Sequence, residues 1–77
     1  INKDMEGIIT FKKQIKTNLT LFKFKLSNGD NATSYIVKNF RNEALWIDLK
    51  VGDHVDGLKW KDESKGIINA DSPVSRI

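Results

Sequence analysis

The segment Leu19-Thr20-Leu21-Phe22-Lys23-Phe24-Lys25-Leu26 constrains this chain more than any other. Phe22, Phe24 and Leu26 fall on one parity, and Leu21, Lys23 and Lys25 fall on the other. A period of two belongs to a β-strand with one buried face, because successive side chains point to opposite sides of a sheet. A helical winding would spread both phenylalanines and both lysines around its circumference and leave no clean apolar stripe. The segment therefore reads as a strand, apolar inward and cationic outward. Ser27-Asn28-Gly29-Asp30-Asn31 follows at once. Asn-Gly tolerates the positive φ that tight hairpin turns demand, so the next strand is expected to return antiparallel.

The rest of the chain repeats this grammar. Met5 to Ile15 is rich in Ile, Thr and Phe, with Gly7 as a bend or bulge near its start. Ile9, Phe11 and Ile15 share one parity and are expected inside, while Ile8, Thr10, Lys12 and Gln14 share the other. Lys16-Thr17-Asn18 turns the chain into the second strand. A third strand runs over residues 33–40, and two facings suit it: Tyr35 and Val37 inward, or Ile36 and Phe40 inward. Arg41 to Lys50 reads as one short helix, with Asn42 as cap and Glu43 in the first turn. After the Val51-Gly52-Asp53 turn, Val55 to Trp60 makes a fourth strand. Lys61 to Gly66 is a polar hairpin loop, and Gly66 to Ala70 a fifth strand, stopped at Asp71-Ser72-Pro73. Ser75, Arg76 and Ile77 read as a frayed end or the start of a continuation. The expected fold is all-β: one domain over residues 1–77, a small five-stranded antiparallel barrel with a short helix between strands three and four. Ile9, Phe11, Phe22, Phe24 and Val55 are its expected buried residues.

Chemistry is sparse. The chain has 77 residues, no cysteine and one histidine, His54. Without thiols there is no disulfide and no thiolate metal site, which suits a reducing, cytoplasmic setting. Asp53 and Asp56 share no strand face, and Asp62 and Glu63 fall in the polar loop, so no set of metal ligands converges. No glycine-rich phosphate loop or nucleophile elbow occurs. No apolar run approaches the ~20 residues of a helical membrane span. These absences lead to the expectation of a non-enzymatic protein with no cofactor and no metal, working away from membranes.

The segment Leu49-Lys50-Val51-Gly52-Asp53-His54-Val55-Asp56-Gly57 resembles the hydrophobic–Gly–Asp–x–Val element that opens the fourth strand of many OB-fold domains binding single-stranded DNA in replication and repair. Leu58-Lys59-Trp60 and Gly66-Ile67-Ile68-Asn69-Ala70 are similar to the closing hairpin of such domains. The resemblance implies an OB-fold-like barrel whose ligand lies across strands two and three and the loops joining strands one to two and four to five.

Charge points the same way. The net charge is +3, but residues 1–26 hold six lysines against Asp4 and Glu6, while residues 27–77 hold seven basic and eight acidic residues. Basic charge gathered in one third of a domain is the footprint of a polyanion binder. Single strands are held by cations tracking phosphates and by aromatic platforms under bases. The expected contacts are Lys12, Lys23 and Lys25 on one outer face, Lys13 and Lys16 at the adjoining turn, Lys38 on the third strand and Arg41 just after it. Lys59, Trp60 and Lys61 would contribute from the loop between strands four and five. Tyr35 is either a stacking platform or a half-buried tyrosine with its hydroxyl at the surface. Trp60 either stacks on a base or caps the barrel. Single-stranded nucleic acid, DNA ahead of RNA, is the expected partner. The alternative is a protein-docking module.

Overall fold

The computed structural model describes residues 4–38, 41 and 43–77. Its strands are β1 (Met5–Lys16), β2 (Leu19–Leu26), β3 (Asn31–Val37), β4 (His54–Leu58), β5 (Trp60–Asp62), β6 (Ile67–Ile68) and β7 (Ser75–Arg76). Among the described residues one helix, α1 (Glu43–Trp46), lies between β3 and β4, and a single 3₁₀ turn covers Glu63–Lys65. The Asn42 cap and the far end of the expected third strand at Phe40 lie outside the described residues.

All strands belong to one sheet with the order β5-β6-β3-β2-β1-β4-β7. β4 and β5 stand at opposite ends of this order save for β7, yet only Lys59 separates them in the chain. A flat sheet cannot satisfy both conditions, so the sheet curls into a barrel-like half-cylinder. The expectation of five antiparallel strands is thus corrected to seven strands in a mixed sheet. Three causes account for the difference. The expected fourth strand is interrupted at Lys59, whose N–H donates to Ser72 Oγ (2.9 Å) and whose carbonyl accepts from Asn69 N–H (2.7 Å), leaving β4 and β5 as separate pieces. The region expected to be a loop begins as β5, which pairs antiparallel with β6. The expected frayed end is β7, which pairs with β4 through Val55↔Arg76 and Asp56↔Ser75. β6 meets β3 in parallel at Thr33↔Ile67, where Thr33 N–H reaches Gly66 O at 2.8 Å.

The interior is built on aromatic rings. Trp46 is fully buried against Phe22 and Phe24, with ring centroids 5.5 and 5.9 Å away, and its indole N–H donates to Ala70 O (3.2 Å). Such a buried tryptophan satisfies its one donor while its rings supply apolar area. Ile9, Leu26, Ala32, Ile36, Leu49, Val55, Leu58, Ile68 and Val74 complete the core. Of the two facings open to the third strand, Ile36 is inside and Tyr35 and Val37 are outside. Phe11 and Ile15, expected inside, are exposed. The pairing Ile9↔Phe24 is followed by Phe11↔Lys23, so Thr10 is an extra residue on β1, and a second shift leaves Ile15 without an opposite number. One inserted residue exchanges the faces of everything beyond it.

The turns follow their chemistry. Gly29, in the Asn-Gly turn, has φ 95°, with its N–H on Leu26 O. Gly52 donates to Ile9 O (2.7 Å) while Ile9 N–H reaches Asp53 O (3.0 Å), so the Gly-Asp element fastens the approach of β4 to β1. Gly57 has φ 86°, and a Cβ there would stand 2.6 Å from Pro73 O. Backbone conformation and close approach both exclude a side chain. The expected result for Gly57→Ala is a loss of about 2–4 kcal/mol of stability, read by urea denaturation. A loss below about 1 kcal/mol would mean that the β4–Pro73 contact yields freely.

Candidate nucleic-acid interface

The outer face of β1–β3 is assembled from cross-strand rows. Phe11 lies opposite Lys23 and Lys23 opposite Thr33; Lys13 lies opposite Leu21 and Leu21 opposite Tyr35; Ile8 lies opposite Lys25 and Lys25 opposite Asn31. Directly opposed side chains stand about 5 Å apart at Cβ, so these rows form one continuous surface. Three lysines, Lys13, Lys23 and Lys25, are exposed on it. Two aromatics join them: Tyr35 is 47% and Phe11 39% exposed. The Lys23 ammonium sits 5.4 Å from the centre of the Phe11 ring, a cation–π contact that holds both groups at the surface. The slip in β1 is what brings Phe11 here, and the Thr10 hydroxyl marks it with a 3.3 Å hydrogen bond to Lys23 O.

Phe11 is the residue that reading by parity missed. The available signal was Lys13, which shares odd parity with Ile9, Phe11 and Ile15. A lysine inside an otherwise apolar set indicates a change of face between Ile9 and Lys13, because an unpaired buried ammonium is costly.

Lys12 undergoes the opposite exchange. It was expected on the outer face with Lys23 and Lys25, but it pairs across from the buried Phe22. Its ammonium lies 5.4 Å from the Phe22 ring centre and donates to the carbonyls of Ile47 and Leu49, both at 2.8 Å. These carbonyls belong to the segment just after α1, and the cation satisfies two acceptors there. Lys12 ties β1 to the segment after the helix.

The remaining expected contacts are dispersed. Lys16, opposite Leu19, and Lys38, whose N–H donates to Asn18 O, are exposed at the far end of the β1–β2 hairpin. Arg41 is paired with Asp71 at 3.0 Å. The hydrogen bond from Arg41, with its charge, holds the Asp71 carboxyl below the usual carboxylate range and raises the guanidinium in return. Both groups are open to solvent, so the pair adds little to stability. What it adds is present above the ordinary carboxylate pKa and fades as pH falls through the lowered one. Lys59 stands 3.8 Å from Asp4, and Lys61 is exposed on β5.

Trp60 pairs across from the buried Ile68 and is itself partly buried against the core. Its remaining surface lines a hollow with Asp30, Asn31, Glu63, Ser64 and Gly66. That hollow contains two acids and no lysine, a poor setting for a phosphate. His54 lies 3.4 Å from Glu6 at the exposed end of β4. Among the described residues no group of His, Cys, Asp or Glu could hold a metal ion, and no helix is long and apolar enough to cross a membrane.

Comparison with protein-family models, with characterised proteins and with solved structures finds no match to this chain.

The stability of three variants separates these roles. Lys12→Met should cost about 1 kcal/mol in urea denaturation, since hydrogen bonds to a charged donor are lost at a half-buried site, whereas Lys23→Met should fall within about 0.5 kcal/mol of the parent. Trp60→Ala should cost about 2–3 kcal/mol, less than a fully buried tryptophan because its ring is only partly enclosed. An unaltered melting curve for Trp60→Ala would return that ring to the surface.

Proposed function

We propose that this protein is a non-catalytic binder of single-stranded nucleic acid, with DNA preferred to RNA, and that the ligand lies across the outer face of β1–β3. The observation that carries this reading is the shared surface of Phe11, Tyr35, Lys13, Lys23 and Lys25. It offers both components that an unpaired strand requires, flat apolar rings for bases and mobile cations for phosphates. Every base has a π-face and every nucleotide a phosphate, so such a surface tolerates sequence. Phosphate attraction acts through release of counterions and is correspondingly sensitive to salt.

The OB-fold-like reading of the barrel belongs to the same proposal. It is supported by the central position of β2 and β3, by the Gly-Asp fastening of β4 to β1, and by the near-continuity of β4 with β5 around Lys59. In such barrels the face of strands two and three is the usual ligand surface. Relative to the contact set expected from sequence, Phe11 enters, Lys12 serves the fold, and Trp60 becomes chiefly a packing residue. The preference for DNA rests on the resemblance to replication and repair domains.

A second reading, a protein-docking module, draws on Ile8 and Val37, exposed apolar residues beside the lysines. Salt dependence separates the two, because an apolar contact weakens little in salt whereas phosphate contacts weaken steeply.

The test is fluorescence anisotropy of a labelled oligothymidylate over a salt series, with the ribose counterpart beside it. Replacing Lys23 and Lys25 together by Ala should lower the slope of log affinity against log salt by about 0.7 for each phosphate contact removed. Replacing Phe11 or Tyr35 by Ala should each cost about 1–3 kcal/mol of binding with little change in melting temperature. Equal affinity and an equal salt slope in the double lysine variant would remove the proposed site.

A further inference from the structure

β1 is twelve residues long and is paired along almost its whole length with β2, but β4 covers its other edge only from Met5 to Ile8. Ile9 is then held by Gly52 and Asp53, and beyond it no strand among the described residues meets that edge up to Lys16. The terminal strands β5 and β7 have three and two residues, too short to template a partner. β6 meets β3 only at Thr33, which leaves a shorter uncovered edge there, so Phe11–Lys16 is the longest edge of this sheet without a paired strand among the described residues; an unpaired edge presents a row of N–H and C=O groups to any extended chain.

We propose that this edge accepts an added strand from an extended peptide in which acidic and aliphatic residues alternate. The composition of the partner follows from what flanks the edge on each face. On the outer face lie Phe11 and Lys13, both exposed. On the inner side the chain after α1 passes beneath the edge. Lys12 holds it there by the carbonyls of Ile47 and Leu49, and the Gly52 N–H on Ile9 O brings Val51 alongside. Ile47 and Val51 are 47% and 60% exposed, and Ile47 shares a hollow with Gln14 and Thr17. A strand laid along β1 alternates its side chains between these surroundings. Outward residues meet Lys13, with Lys16 at the end of the strand, and are matched by carboxylates. Inward residues cover Ile47 and Val51 and are matched by aliphatic side chains. Backbone hydrogen bonds supply the affinity and the alternation supplies the selection, as in other strand additions.

A second copy of the chain is disfavoured as the occupant. Residues 11–16 contain Lys12, Lys13 and Lys16 and no acid, so pairing β1 with itself gathers six ammonium groups along one seam. The inference does not require nucleic-acid binding: Phe11 and Lys13 border both surfaces, but the free backbone edge, Ile47 and Val51 play no part in that reading.

The test uses isotope-labelled protein and three hexapeptides with blocked ends: alternating Glu-Val, alternating Lys-Val, and the Glu-Val sequence with its third residue replaced by Pro. Backbone amide shifts on titration report where each peptide lies. The Glu-Val peptide is expected to shift amides of residues 9–16 and 47–53 at millimolar concentration and to slow hydrogen exchange at alternate amides of 11–16. The Lys-Val and Pro peptides are expected to do neither. Val51→Glu and Ile47→Glu, two exposed substitutions of which either suffices, should each weaken binding roughly tenfold by setting a carboxylate under the aliphatic face. Binding by the Pro peptide as strong as by its parent would overturn the proposal, since charge alone would then explain it. Shifts centred on Lys23, Lys25 and Tyr35, no shift at millimolar peptide, or a solution dimer joined through residues 11–16 would each overturn it too.

Discussion

β1 carries the register of the whole sheet, because it is hydrogen-bonded to β2 on one side and to β4 on the other. The residue inserted at Thr10 is the constraint on which the outer surface and one end of the core depend. Before the insertion Ile9 packs inward with Phe24; after it Phe11 and Lys13 turn outward and Lys12 turns in over Phe22. A bulge also bends and twists its strand, which favours the curl of the sheet. The inward turn of a lysine would be costly if its ammonium were left unpaired. The carbonyls of Ile47 and Leu49 meet it, and the same two hydrogen bonds hold the segment after α1 against the barrel.

The short helix is stabilised in turn by that arrangement. Four residues cannot form a helix on intrinsic propensity, since nucleation costs more than one turn returns. α1 exists because Trp46 is wedged between Phe22, Phe24 and the Ala70 carbonyl, and because Lys12 meets the carbonyls that follow it. Core, helix and β1 register are thus one cooperative unit. The outer face of β1–β3 takes its rigidity from this unit while contributing little to it, and a surface of that kind can change its contacts without unfolding the domain.

Division of labour among the cations follows from the same geometry. Lys12 and Arg41 hold internal partners, and Lys59 stands near Asp4, whereas Lys13, Lys23 and Lys25 project from the sheet beside two exposed rings. Composition cannot distinguish these roles, because all are basic residues in a mildly basic chain. Position relative to the bulge, to the helix end and to nearby carboxylates distinguishes them.

The period-two pattern of Leu19–Leu26 determined by itself that β2 is a strand, that Phe22 and Phe24 are inside and that Lys23 and Lys25 are outside. Asn28-Gly29 and Gly52-Asp53 determined two turns, since few residues accept their backbone angles. These features are local, and one strand or one turn contains the physics that produces them. Tertiary structure alone decided the faces of Phe11, Lys12 and Ile15, the choice between Tyr35 and Ile36, the parallel contact of β3 with β6, and the docking of β7 on β4. Each depends on register between separate segments of the chain. A one-residue shift in register reverses every side chain beyond it, and what selects the register is the fit of the whole core, with Trp46 at its centre, rather than any property of the strand that shifts.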